Sequence, residues 1–115
     1  LKAAVGTVLQ IKPLLKGDPE GKIVCFGQVR GRKKSIEMMA EQYDRYAENA
    51  EAETIGIVHA DCPEDAEALI ALLNRSHPPK NVILACYEPM TGAHVGPDAL
   101  ALFFYGKKEF RPAMK

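Results

Sequence analysis

The chain contains no tryptophan, only three cysteines and no net charge, since 15 lysines and arginines balance 15 aspartates and glutamates. Each shortage excludes something. Cys25, Cys62 and Cys86 are odd in number and lack C-x-x-C spacing, so they form no disulfide framework. They read as reduced thiols, as expected of a cytoplasmic protein. The paired short Cys and His spacings of a zinc site are missing too, and neither a metal nor a cofactor is expected. Neutral charge argues against a nucleic-acid binder, whose footprint is basic. No apolar run approaches the roughly 18–20 residues of a membrane span. No phosphate-cradling glycine loop, internal repeat or signal peptide is visible. The chain begins at Leu1, within a helical pattern, and reads as a piece of a longer protein.

What is present is apolar and patterned. Hydrophobic residues make up 47% of the 115, enough for one compact domain with a core. Leu1, Ala4, Val5, Val8 and Leu9 share a helical face, so 1–9 reads as the end of a helix, with Gly6 inside it. Pro13 ends that option. GDPEG at 17–21 is a turn sequence, and KIVCFGQV follows as a strand, which makes 11–29 a hairpin. Ile36, Met39, Ala40, Tyr43 and Ala47 recur at three- and four-residue spacing, which predicts an amphipathic helix over 33–50.

TIGIVHA at 54–60 is nearly continuous in apolar character, as in a strand buried on both faces or at the sheet centre. Asp61 or Cys62 caps a second helix with Pro63, Glu64 and Asp65 in its first turn. VILACYE at 82–88 reads as another buried strand, and ALALFFY at 99–105 as the last. The strand–helix–strand–helix–strand order from 22 to 88 implies parallel neighbours. The expected fold is α/β: a two-layer sandwich with a mixed sheet of about five to six strands and two main helices on one face.

Four places are candidates for function. His59 closes a strand just before a helix cap, where sites favour strand ends. The plainer alternative is a ring bonded to a loop carbonyl. His77, beside Pro78 and Pro79, reads as a solvated loop residue. Cys62 sits at a helix N-terminus, where a thiol pKa can fall, yet no adjacent motif supplies a base. Arg30, Arg32, Lys33 and Lys34 cluster at a helix start, against the helix dipole, so the cluster suits a phosphate or an acidic partner. The sharpest feature is GAHVGP at 92–97. Glycines on both sides strip His94 of side-chain cover, so it is either exposed on a tight turn or pressed against a ligand.

The segments VGTVLQIKP, GKIVCFGQVRGRKKS, IGIVHADCPEDAEAL and GAHVGPDALALFFYG, in that order, resemble the carboxy-terminal domain of the DegV family. The likeness runs over 1–106, leaving 107–115 as a tail. It implies a missing amino-terminal Rossmann-like domain of the same protein, with a long-chain fatty acid held in a tunnel between the two. It further implies that the bound acid is presented to a separate fatty-acid kinase, and that the binding protein is not itself an enzyme. Carried over, His94 and Gly96 belong near the fatty-acid carboxylate, Gly6 and Thr7 beside the tunnel, and Phe103, or else Phe104, along its wall. Arg30 and Arg32 match the basic motif for the kinase. Asp98 stands where the family usually has glycine. Two other readings stay open: a regulatory or interaction domain without lipid, and an enzyme domain related to dihydroxyacetone kinase.

Overall fold

The computed structural model describes residues 11–88 and 98–107. The helix expected at 1–9 and four of the expected site residues, Gly6, Thr7, His94 and Gly96, lie outside these. The chain opens with a hairpin of β1 (Ile11–Gly17) and β2 (Ile23–Arg30), paired antiparallel with a slip between Leu14 and Leu15. Its turn is fixed by Asp18, whose Oδ1 accepts from the backbone N–H groups of Glu20 at 2.9 Å and Lys22 at 2.8 Å. This is the aspartate-led turn that the GDPEG sequence favours.

Helix α1 (Arg32–Tyr46) follows β2 across Gly31, whose φ of 93° and ψ of 144° only glycine adopts readily. The helix stops short of the expected residue 50. Ala47 turns extended and bridges to Gly106, and the Glu48 N–H donates to the Tyr105 carbonyl at 2.8 Å. That pairing takes the chain out of the helix. Asn49 then adopts the left-handed region ahead of a 3₁₀ turn, Ala50–Ala52.

A second sheet is built from β3 (Thr54–His59), β4 (Asn81–Cys86) and β5 (Leu100–Phe103), with helix α2 (Pro63–Ser76) crossing between β3 and β4. β3 is central, parallel to β4 and antiparallel to β5. Both helices pack on one face of this sheet. The core holds Ile36 and Tyr43 of α1, Leu69 and Leu73 of α2, and Ile55 and Ile57 of β3. The Tyr43 hydroxyl donates to the His77 carbonyl at 2.9 Å, so this fully buried ring leaves no polar atom unpaired. Phe104 packs edge-on against it, the ring centroids 5.4 Å apart.

The α/β layering is as expected, but the five described strands form two sheets rather than one mixed sheet. β2 does not pair with β3, because both edges of β3 are already taken by β4 and β5. Of the two placements expected for β3, it takes the sheet centre and is not buried on both faces. Ile55, Ile57 and His59 are buried, while Thr54, Gly56 and Val58 alternate with them on a more open side. β4 lies at the edge of the described sheet and is mostly exposed, not buried: no described helix covers the side of Ile83 and Ala85, and Leu84 and Cys86 on the other side are exposed as well. Among the described residues no helix is long and apolar enough to cross a membrane.

Candidate functional site

Strand register decides which side chains share the uncovered face. Gly56 pairs with Ile83 on one side and Phe103 on the other, and Val58 pairs with Ala85 and Ala101. Paired residues project to the same side of a sheet, so these six form an apolar surface opposite the helices. Ile83 is 63% exposed, Phe103 58% and Tyr105 67%. These large apolar side chains lie together on one face, a kind of surface that ligands or partners commonly cover. A depression of about 280 Å³ lies here, bordered by Thr54, Gly56, Ile83, Phe103 and Tyr105. Gly56 provides its floor. A Cβ at this position would meet the Phe103 Cβ at 3.7 Å, so the Phe103 side chain stands beside a gap that glycine keeps open.

Phe103 and Phe104 face opposite ways by the same alternation. Phe103 stands on the uncovered face, whereas Phe104 packs with Tyr43 against the core, although it too borders the depression. The contributions of Gly56, Ile83 and Tyr105 were missed from the sequence. The signal that could have found Gly56 and Ile83 is a strand pair free of charge, IGIV and VILAC, and for Tyr105 its place two residues beyond Phe103 on the same alternation.

The two arginines of the basic motif diverge. Arg30 ends β2 and is exposed, as are Lys33 and Lys34. Arg32 turns inward and is half-buried. Its Nε donates to Asp65 Oδ2 at 2.8 Å, and its Nη2 reaches the Cys62 sulfur at 3.6 Å and the Asp98 carbonyl oxygen. Asp65 lies in the first turn of α2, so the carboxylate that suits that helix's positive end also neutralises the cation at the start of α1.

His59 is a cap residue. Its Nδ1 accepts from the backbone N–H of Cys62 at 3.1 Å, one of the free donors that begin α2. The ring bonds an N–H, not the loop carbonyl expected. Acceptance at Nδ1 places the imidazole proton on Nε2. Cys62 is buried, and burial pushes its thiol up, outweighing the lowering effects of a backbone hydrogen bond and of Arg32. The lowered pKa considered for a helix N-terminus is therefore not found. His77 is not merely a solvated loop residue either: it caps the C-terminus of α2, and its Nδ1 lies 3.0 Å from Asp44 Oδ1 on α1. Among the described residues no group of His, Cys, Asp and Glu is placed to hold a metal.

A two-layer domain with one sheet face packed and the other, among the described residues, apolar and open is the class that this geometry defines. Comparison with known proteins identifies it further. The model for uncharacterised proteins of the DegV family matches residues 1–107, and the chain belongs to that family. It is 36% identical over 104 residues to a DegV domain-containing protein of Clostridium perfringens, covering 90% of this chain and 36% of that one. Among solved structures, it is similar to a fatty acid binding DegV family protein of Streptococcus agalactiae, at 31% identity and a TM-score of 0.71. That match covers 88% of this chain and 35% of the other. It is also similar to a Thermotoga maritima protein for which a fatty acid binding function is described, at 25% identity and a TM-score of 0.66. This second match covers 84% of the chain and 35% of its counterpart. The chain thus spans about a third of the length of these relatives.

Proposed function

We propose that this chain supplies one wall of a long-chain fatty-acid site, the opposite wall coming from the remainder of a longer protein. The uncovered sheet face carries the reading. Ile83, Gly56 and Phe103 give an uncharged row across three strands, with a depression at its floor. An acyl chain needs such a surface, each buried methylene contributing about 0.8 kcal/mol. The similar proteins described as fatty acid binding support the same ligand class.

In this reading His94 and Gly96 lie near the carboxylate, Gly6 and Thr7 beside the chain, and Phe103 along it. The exposed Arg30 belongs to a docking surface for a separate fatty-acid kinase, and the protein is a carrier rather than the catalyst. A cytoplasmic setting agrees with three cysteines that are all free. The deciding experiment is native mass spectrometry of the full-length protein, with Phe103→Asp as the variant. A co-purified acyl ligand in wild type that is lost in the variant supports the reading. A reproducibly empty wild-type protein that binds no added palmitate rejects it.

A further inference from the structure

The contacts of Arg32 join parts of the fold that the sheets leave separate. β5 is short and pairs with β3 only over Leu100–Phe103. Ahead of it, Asp98 holds a left-handed backbone with φ of 66°, which is unfavourable for a non-glycine residue. The Asp98 N–H donates to the Ala60 carbonyl and the Ala60 N–H to the Ala99 carbonyl, both at 2.9 Å. These two bonds extend the β3–β5 ladder beyond the strands. The Arg32 guanidinium then bonds the Asp98 carbonyl from the far side while its Nε holds Asp65.

We infer that Arg32 is a positioning residue: its guanidinium locks the entry of β5 onto the N-termini of both helices and so fixes the strand that carries Phe103. The inference rests on the acyl-chain reading for its effect on binding, and on geometry alone for its effect on β5. It separates the two arginines of the motif. Arg30 stays at the surface for a partner, while Arg32 acts inside the domain. Gly31 lies between them in a backbone conformation that L-residues rarely adopt. A planar fork is required, because the donors must reach a carboxylate and a carbonyl oxygen at fixed angles, and an ammonium on a flexible stem does not reproduce this.

The test uses the full-length protein and reads amide hydrogen exchange together with palmitate affinity. In Arg32→Ala, the Asp98 and Ala60 amides are expected to exchange at least tenfold faster. Those of Ile55 and Ile57 should stay near wild type, and palmitate affinity should fall severalfold. Arg32→Lys should show the same pattern, and Arg30→Ala should leave all three readouts unchanged. Should Arg32→Ala not fold, Asp65→Asn gives the same pattern in milder form. A general brace between the helices would instead raise exchange evenly across α1, α2 and β3, and that result overturns the inference, as does unchanged exchange at Asp98 and Ala60. If wild type binds no palmitate yet Asp98 and Ala60 loosen selectively, the positioning role stands and the acyl-chain reading falls.

Discussion

Buried hydrogen-bonding groups at single residues set several measurable properties of this domain. His59 is 8% exposed and its Nδ1 is the acceptor for a helix-start N–H. His59→Ala leaves that donor unpaired and opens a cavity, so urea unfolding should show a loss of about 1–3 kcal/mol with no change in ligand binding. Cys62 and Tyr43 predict the response to alkali. Burial is the main cause of a raised pKa in both, from ordinary values of 9.0 and 10.0. The folded state keeps a proton that the unfolded chain releases above those values. Their contribution to stability is therefore whole at neutral pH, begins to fall as pH passes 9 and then 10, and is lost once pH rises through the raised folded values. Lys16 has a lowered pKa from desolvation, which acts in the opposite sense, but it is only partly buried, so the net expectation is a falling urea midpoint above about pH 9. Thiol labelling at neutral pH should modify the exposed Cys25 and Cys86 and spare Cys62.

At the scale of elements, the uncovered face and the link between β2 and α1 are the sensitive points. Gly31→Ala forces an L-residue into a region that only glycine adopts, although nothing crowds the position. The expected cost is about 1–3 kcal/mol from backbone strain alone, read as a lower urea midpoint. Gly56→Leu should do the reverse of a core mutation: fill the depression, keep stability, and weaken palmitate binding by tenfold or more.

The sequence made most of this legible through periodicity. The three- and four-residue spacing of Ile36, Ala40 and Tyr43 located α1, and Pro63 with Glu64 and Asp65 located the start of α2. Tertiary facts were not legible. Whether β3 bonds β2 or β5 depends on which strand reaches its edge, and no residue in β3 encodes that choice. An apolar strand such as VILAC reads as buried whether it is covered by its own domain or meets something else. The inward turn of Arg32 depends on Asp65 and Asp98, residues 33 and 66 positions away.

For the molecule as a whole, the consequence concerns length. Among the described residues the uncovered face is three strands wide, so two strand spacings, about 10 Å, separate its outermost backbones. An extended long-chain acid lying across the row from Ile83 to Phe103 is longer than that span. On the proposed reading a wall so narrow is a poor ruler: it meets the same few methylenes of a hydrocarbon whatever their total number. Substitutions on this face should therefore rescale the affinities for myristate, palmitate and stearate by a common factor. Titrating all three acids against full-length wild type and Phe103→Asp measures this directly, and a factor that changes with chain length would place the end of the acyl chain against this sheet instead.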